Sequence, residues 1–342
     1  MSILDSLFRV AAHVAAPGGT RARLTIFLYH RVLAKPDPLL PTEPDAAAFD
    51  TQMRVVANLF HVLPLGEAVD RLKRGTLPAR AACITFDDGY RDNFEVACPI
   101  LQRYGLTGTF FVATDFLDGG RMFNDTVIEA VRRIPTGKVD LSWVGLGEMQ
   151  VDDIASRAAL MSAFIKAIKY LPIDERAQAS ERLGALADSP LSRELMMSSE
   201  QVVRLHKTGM DIGGHTLSHP ILAQISADEA RRQIQTNRER LTTLLGIAPR
   251  HFAYPNGRPE QDYCSEHVTM VREAGYTAAV STARGVATPQ DDCFQLPRFS
   301  PWHHEENRLR ASLLRNAAFG SGALRVAHPQ GERSPHNLAA SL

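Results

Sequence analysis

The sequence predicts an α/β fold in which a mostly parallel sheet closes into a (β/α) barrel. Short β-prone runs alternate with segments of helical periodicity along the 342 residues, as is typical of parallel sheets with crossover helices. Polar residues follow several of these runs directly, namely His30, Asp87, Asp88, His215 and Arg298. Because active sites of such barrels lie at the carboxyl ends of the strands, this placement favours a barrel. The length fits either two domains or one barrel of about 250 residues with an insertion.

Roughly seven strands are expected, each marked by β-branched, aromatic or aliphatic residues between turn signals. The run that ends at Phe86 is the central one, because two carboxylates and a glycine follow it immediately. The predicted strand segments, including a short one at 61–63, cover residues 24–30, 61–63, 82–86, 109–113, 210–212, 250–254, 277–281 and 294–298.

Helical periodicity fills the intervals between these strands. Gly105 is well placed to end one helix, and Ser226 with Glu229 three residues later forms a capping box that begins another. The predicted helices between strands cover residues 49–59, 67–74, 93–104 and 226–245.

The pattern changes between residues 115 and 200, where the signals are almost entirely helical, at 124–133, 152–170 and 174–187. We interpret this stretch as an insertion over the mouth of the barrel. The predicted organisation is a helical extension at 1–23, a barrel with its insertion at 24–302, and a tail at 303–342 that is loosely ordered from residue 327.

Composition excludes several partners. The 38 basic and 38 acidic residues balance, which argues against a nucleic acid or an anionic membrane bound mainly through charge. The sequence contains no run of 18 apolar residues, so no transmembrane helix is expected. The N-terminus lacks a basic start followed by a continuous apolar segment, so we expect a short amphipathic helix there and no signal peptide. A cytoplasmic location is the corresponding expectation.

Two motifs carry the candidate chemistry. Asp87 and Asp88 end the central strand, and adjacent carboxylates in an apolar setting repel each other unless a cation lies beside them. His215 and His219 are spaced so that both imidazoles reach one metal ion. One carboxylate and two imidazoles leave a position for water, as in a catalytic zinc site. The second carboxylate is then free to act as a base.

Residues 85–89 (TFDDG) and 215–220 (HTLSHP) resemble the two signature motifs of the polysaccharide deacetylases of the NodB-homology type, carbohydrate esterase family 4. The resemblance extends from about residue 24 to about residue 301 and implies a distorted, incompletely closed (β/α)7-type barrel with a helical insertion. It also implies that Asp88 binds the metal with His215 and His219, and that Asp87 is the catalytic base. Zinc is the expected ion, although these ligands also accommodate cobalt, nickel or iron.

The sequence departs from the family pattern at two places. The third motif of the family resembles residues 250–257, where Tyr254 and Pro255 are expected to line the substrate groove. The arginine that holds the catalytic carboxylate in many members is replaced by Ala253, and Arg298 is our candidate substitute. A surface arginine is the rival interpretation of Arg298.

The catalytic acid and the oxyanion donor are also expected at named positions. The family takes the acid from a C-terminal motif that is absent here, so His30 is the first candidate and His303 or His304 the second. By resemblance, the backbone N–H of Tyr90 stabilises the oxyanion.

The activity implied by the resemblance is metal-dependent removal of acetyl groups from N-acetylated or O-acetylated sugars of a polysaccharide or its precursor. An acetylated glycan or a lipid-linked sugar is the expected partner. Two alternatives are an amidohydrolase of a small non-sugar C–N substrate on the same fold and an inactive carbohydrate-binding homologue. The presence of Asp87 and of both histidines favours the first reading.

Overall fold

The structure, a computed structural model, describes residues 3–303, 305–320 and 325–326. Eight of the strands in this part of the chain form one parallel sheet, and β5 and β6 form a separate antiparallel hairpin. The strands are β1 (Thr25–Tyr29), β2 (His61–Val62), β3 (Ala81–Phe86), β4 (Thr109–Val112), β5 (Gly137–Asp140), β6 (Glu148–Val151), β7 (Asp211–Gly214), β8 (His251–Ala253), β9 (Ala278–Arg284) and β10 (Leu296–Arg298).

The large sheet curls into a nearly closed barrel. Its strands follow the order β1-β3-β4-β7-β8-β9-β10, with β2 paired to the start of β3. The seam between the last strand and the first is joined at Phe299, whose N–H donates to Ile26 (2.8 Å) and whose carbonyl accepts from Leu28 (3.0 Å). The predicted α/β fold with a distorted, incompletely closed (β/α)7-type barrel is confirmed.

Helices pack around the barrel and also build the insertion. The helices of the described residues are α1 (Ile3–Ala15), α2 (Ala46–Leu59), α3 (Leu65–Lys73), α4 (Cys98–Arg103), α5 (Phe123–Arg133), α6 (Ile154–Ile168), α7 (Ile173–Gly184), α8 (Ser199–Lys207), α9 (Ala227–Leu245), α10 (Ser265–Glu273) and α11 (Glu306–Phe319). The helix predicted at 93–104 begins instead with a π-helical turn, Asn93–Ala97. Pro99 at the start of α4 has no N–H to donate to the preceding turn, which accounts for the wider turn.

The alternation of side chains along β3 separates the outside of the barrel from the inside. Ile84 and Phe86 pack in a cluster with residues of the surrounding helices α2, α4 and α8. Thr85 and Asp87 point the other way, where both contact Arg298 of β10. The chemistry of β3 is therefore directed into the barrel.

The segment between β4 and α8 forms its own small core. Residues of α5, α6 and α7 bury a hydrophobic cluster that includes Val131, Phe164 and Leu183. The hairpin of β5 and β6 in this segment was not predicted, because its strands have four residues each and are mostly polar. The domain boundaries suggested by the sequence stay a prediction.

Helices α1 and α11, from opposite ends of the chain, meet on one side of the barrel, where α11 packs against α1 and α2. Residues 303–342 were expected to form a tail, yet α11 occupies part of this range, because Leu309, Leu313 and Ala317 recur at helical spacing and are buried. Residues 327–342, predicted to be loosely ordered, lie outside the described residues. None of the described helices has the length and apolar character needed to cross a membrane.

Candidate metal centre and active site

Asp87 is held by a buried ion pair with Arg298. The guanidinium donates two parallel hydrogen bonds to the carboxylate, Nη1 to Oδ1 at 2.7 Å and Nη2 to Oδ2 at 2.6 Å. Arg298 is 1 % exposed and is fixed by further bonds to the Ser281 carbonyl (2.8 Å) and the Thr85 hydroxyl (3.2 Å). Such a bidentate pair fixes both the position and the orientation of a carboxylate.

Asp88 turns out of the strand and towards a different set of partners. Its φ of 79° lies in the left-handed region, which non-glycine residues seldom adopt. The Asp88 Oδ1 atom lies 3.3 Å from Nε2 of His215 and 3.4 Å from Nε2 of His219. Backbone strain of this kind is costly and is retained mainly at functional sites.

His215 and His219 lie in the loop that follows β7. Nδ1 of His215 is 2.8 Å from the carbonyl of Ala253, and because a carbonyl only accepts, Nδ1 carries the hydrogen. With the hydrogen on Nδ1, the Nε2 atom faces Asp88 and, in the neutral form of the ring, has a lone pair that can bind a metal ion. Burial opposes the charged form of His215, but Asp88 beside it outweighs burial and raises the pKa of the ring. The two imidazole centroids are 4.8 Å apart.

Helix α9 holds the histidine loop through two buried amides. The Gln233 Oε1 atom accepts from the N–H groups of Leu217 and Ser218, both at 3.0 Å. Asn237 donates to the carbonyls of Thr216 and Val112. Sequence reasoning missed this support, although two amides four residues apart on the apolar stripe of a helix are a signal that could have revealed it.

The glycines before His215 are required by close packing. A side chain at Gly214 would overlap the Tyr276 hydroxyl, and one at Gly213 would overlap the ring of Phe111. The end of β7 therefore lies directly against its neighbours, which fixes the start of the histidine loop.

Electrostatics keep the carboxylates ionised and one imidazole neutral. Burial by itself raises the pKa of Asp87, but the Arg298 guanidinium outweighs it and leaves that pKa below its ordinary value. Burial likewise opposes ionisation of Asp88, but the neighbouring His215 imidazole outweighs it and leaves the pKa of Asp88 below its ordinary value. Burial lowers the pKa of His219 to about 3, so this ring is neutral near pH 7. Neutral imidazoles and an ionised carboxylate are the forms that bind metal ions.

The donor set fits a divalent transition metal. Ligand atoms of Asp88, His215 and His219 all lie within 4.8 Å of one another. The Asp88 Oδ1 atom is buried and has no hydrogen-bond donor in the described part of the chain. An ionised oxygen buried in this way is costly unless a cation neutralises it. One carboxylate oxygen and two imidazole nitrogens suit zinc and its neighbours in the first transition row.

The barrel and the insertion together enclose a cavity of about 210 Å³ at this cluster. Its barrel side is formed by the two carboxylates and by residues near the ends of other strands, namely His30, Asp87, Asp88, His215, His219, Asn256 and Thr282. Its other wall comes from the insertion, with Met122, Phe123, Asn124, Ile165 and Lys169. The insertion therefore covers the carboxyl ends of the barrel strands.

Tyr90 connects the carboxylate turn to the insertion. Its hydroxyl donates to Asp125 Oδ1 at 3.0 Å, and the Arg31 guanidinium lies 4.7 Å above its ring. The backbone N–H of Tyr90 has no acceptor among the described residues. Tyr90 is buried and follows the cavity residues Asp87 and Asp88 in the chain, but it is not itself among the residues that line the cavity.

The other predicted residues are distributed as follows. His30 lines the cavity beside Asp87 and Asp88. The Tyr254 side chain is fully buried away from the cavity, stacked on Tyr263 at 3.9 Å, and Pro255 is also buried. The cavity residue that this motif contributes is Asn256.

The alternative acids lie elsewhere. His303 is exposed and does not line the cavity, and its carbonyl accepts from Gln52 at 3.3 Å. His304 lies outside the described residues. Of the candidate acids that the structure describes, only His30 reaches the cluster.

A (β/α) barrel with an Asp-His-His cluster and a second carboxylate at the strand ends has the groups that a metal-dependent hydrolase uses. A sequence profile described as polysaccharide deacetylase matches residues 74–149 and 173–279, just over half of the chain. The chain belongs to the polysaccharide deacetylase family.

Two curated relatives match shorter segments. The YxkH protein of Bacillus subtilis (strain 168), named for the same family, is 32% identical over 93 residues, which are 27% of this chain and 32% of the relative. A peptidoglycan-N-acetylglucosamine deacetylase of Bacillus cereus (strain ATCC 14579) is 45% identical over 56 residues, 16% of this chain and 20% of the relative. The chain thus spans about a third or less of the length of these relatives.

Solved structures share the fold. The Streptococcus pyogenes deacetylase PplD, in complex with acetate, superposes with a TM-score of 0.57 at 19% identity and covers 87% of this chain and 99% of its own. IcaB from Ammonifex degensii superposes with a TM-score of 0.54 at 18% identity and covers 89% and 98%. At these identities the likeness establishes the fold alone.

Proposed function

We propose that the chain is a metal-dependent hydrolase that removes acetyl groups from N-acetylated or O-acetylated sugars of a polysaccharide or its precursor. One observation carries this proposal: Asp88, His215 and His219 converge within one cavity, where Asp87 is fixed beside them by Arg298. Family membership and the peptidoglycan-N-acetylglucosamine deacetylase among the relatives support an acetylated glycan as the substrate.

Asp88, His215 and His219 would hold the metal. When bound, a divalent ion supplies Lewis acidity towards the acetyl carbonyl and makes water acidic enough to ionise near neutral pH. Zinc is our first candidate for these three ligands, with cobalt, nickel and iron as the other ions that accept them.

Asp87 would act as the general base. Its carboxylate is ionised at neutral pH and lies in the cavity next to the three ligands, so it can take a proton from the attacking water. The bidentate bond to Arg298 keeps the carboxylate oriented while it does so. In this role Arg298 is a positioning residue and takes the place of the family arginine at the third motif.

Two further groups would complete the reaction. The unpaired N–H of Tyr90 would donate to the oxyanion of the tetrahedral intermediate. The His30 side chain, which lines the cavity, would protonate the departing amine so that acetate and a free amino sugar are released.

The test is acetate release from a panel of acetylated glycans by the wild-type protein and by Asp87→Asn. We expect at least one glycan to release acetate, and the variant to lose roughly 10²- to 10⁴-fold in kcat, because a positioned base contributes about that much. Asp50→Asn, which changes a surface carboxylate paired with Arg103, should keep wild-type activity. Acetate release that survives Asp87→Asn unchanged would refute the assignment of the base.

A further inference from the structure

A second cavity adjoins the active site on the side of the insertion. It has a volume of about 160 Å³, far above the roughly 10–15 Å³ that one water molecule needs. The two cavities share the lining residues Met122, Phe123 and His219. A group bound in the second cavity would therefore be close to an acetyl group bound at the metal ligands.

The second cavity contains a buried cation without an acidic partner. Arg176, in the first turns of α7, is only 5 % exposed. Its guanidinium carbon lies 4.3 Å above the ring of Phe123, and its one hydrogen bond in the described part of the chain is a long one, 3.4 Å, to the carbonyl of Lys169. Among the described residues, no carboxylate oxygen lies within 4.0 Å of this guanidinium.

The acidic residue of this cavity is engaged elsewhere. Glu181 lines the cavity, but its side chain is 68% exposed and its nearest cation is Arg121 at 3.6 Å. Burial lowers the pKa of Arg176, and no carboxylate in the described chain offsets that effect. Stacking on Phe123 compensates only part of the cost of a desolvated cation.

Lys169 is a second cation next to Arg176, and the carboxylate that acts on it, Asp262, does so from beyond ion-pair distance. Lys169 lines the active-site cavity, is half-buried, and has no carboxylate within 4.0 Å in the described part of the chain. The Arg176 side chain bonds to the Lys169 carbonyl, so the end of α6 and the start of α7 hold both cations together. A planar guanidinium with free donors is suited to a phosphate or carboxylate group.

We propose that the substrate carries an anionic group, a phosphate or a carboxylate, beside its acetylated sugar, and that Arg176 binds this group with the help of Lys169. This inference rests on the deacetylase function proposed above. It explains why the insertion places two cations at the mouth of the barrel, neither of which forms an ion pair with a described residue.

The test compares acetate release from three substrates: chitotetraose, which is neutral, a hyaluronan tetrasaccharide, which carries carboxylates, and N-acetylglucosaminyl pyrophosphoryl farnesol, which carries phosphates. We expect wild-type kcat/KM to favour one anionic substrate roughly ten- to hundredfold, and Arg176→Gln to lose this preference through KM. The anionic substrate that is preferred identifies the source of the charge.

Arg182→Gln is the matched control, because Arg182 is an exposed arginine of the same helix that stacks on Trp143 and does not line the cavity. It should keep the wild-type preference. If Arg176→Gln does not fold, Lys169→Gln should lower the preference by a smaller factor, and its failure to do so would contradict the proposal. Equal kcat/KM for all three wild-type substrates would also overturn it.

Calorimetric binding of the same three ligands to Asp87→Asn protein separates this inference from the proposed function. In one outcome, an anionic ligand binds more tightly than the neutral one, Arg176→Gln abolishes this difference, and the wild type releases no acetate. The anion site would then stand and the deacetylase function would be rejected. Acetate release from the neutral ligand alone, without tighter anion binding, would retain the deacetylase and reject the anion site.

Discussion

At the scale of single residues, Asp87 and Asp88 are neighbours whose different surroundings suit them to different tasks. Asp87 has both oxygens bonded to Arg298, so it remains ionised and fixed. Asp88 has a buried oxygen that faces two imidazole nitrogens and no hydrogen-bond donor in the described chain. The left-handed backbone at Asp88 lets two consecutive side chains of one strand end serve the same cavity.

Asp125 provides a prediction about pH at this scale. Its carboxyl is 1 % exposed, accepts from the Tyr90 hydroxyl through Oδ1, and leaves Oδ2 without a partner among the described residues. Burial raises its pKa to about 7, compared with about 3.9 in an unfolded chain. Between these two values the folded state holds a proton that the unfolded state has lost, so this group makes stability fall as the pH rises.

Asp125→Asn should remove that dependence while keeping an acceptor for Tyr90. The wild type should lose stability between pH 5 and pH 8 that the variant does not lose. The free energy of unfolding of the variant minus that of the wild type should therefore increase by on the order of 3 kcal/mol over this range. Urea unfolding at several pH values measures this difference, with Asp188→Asn at an exposed site as the control. If the free energies of unfolding of the variant and the wild type differ by the same amount at pH 5 and at pH 8, the raised pKa assigned to Asp125 is wrong.

Some residues of the cavity could be predicted from the sequence, because their side-chain types and their spacing along the chain point to the same kind of site. Two adjacent carboxylates and a histidine pair are unusual enough to be recognised in the sequence. The contact between Arg298 and Asp87 required a structure, because it joins residues 211 positions apart. Tyr254 was expected at the groove, but alternation along the strand turns it into the core against Tyr263.

At the scale of elements, α9 is the scaffold of the candidate metal site. Its buried amides bond to the backbone of the histidine loop on one side and to the end of β4 on the other. Residues that hydrogen-bond to metal ligands and orient them commonly have a large effect on metal affinity. The length and rigidity of α9 therefore contribute to the geometry of the site.

Gln233→Ala should weaken metal binding. The change leaves the N–H groups of Leu217 and Ser218 without their acceptor and loosens the loop that carries His219. We expect a loss of roughly 10- to 100-fold in metal affinity, measured by competition with a chelator. Gln235→Ala, on the same helix, should leave the affinity unchanged. An unchanged affinity in Gln233→Ala would show that α9 does not position the ligands.

The barrel elements were predicted well because their strands are apolar and their helices begin with clear caps, as at Ser226. Helix α10, the β5–β6 hairpin and helix α11 were not predicted, and the last two were missed for physical reasons. The hairpin of β5 and β6 is polar and short, so its pairing depends on the core of the insertion. Helix α11 gains its stability from packing against α1 and α2, and this packing was not predicted even though the buried residues of the helix recur at helical spacing.

At the scale of the whole molecule, the active-site cavity belongs to neither the barrel nor the insertion alone. The barrel supplies the ionisable groups, and α5 and α6 supply the opposite wall. The sequence predicted the insertion and its place over the barrel mouth, but not which of its side chains face the cavity, because that depends on how its helices pack on the barrel.

A bound metal should stabilise the entire fold. The ligands follow strands β3 and β7, which are far apart in sequence, so the ion binds the folded state and not the unfolded chain. At a zinc concentration about 1,000 times the Kd, we expect a gain of about 4 kcal/mol, seen as a higher Tm. A Tm that does not respond to divalent metals would contradict this expectation.

The central claim is that Asp88, His215 and His219 bind one divalent cation while Asp87 remains free to act as the base. The most direct test is the metal-to-protein ratio of wild type, Asp88→Ala and Asp87→Asn after equilibration with buffered zinc. We expect one ion per chain in the wild type and in Asp87→Asn, and none in Asp88→Ala. Full occupancy in Asp88→Ala, or none in the wild type, would contradict it.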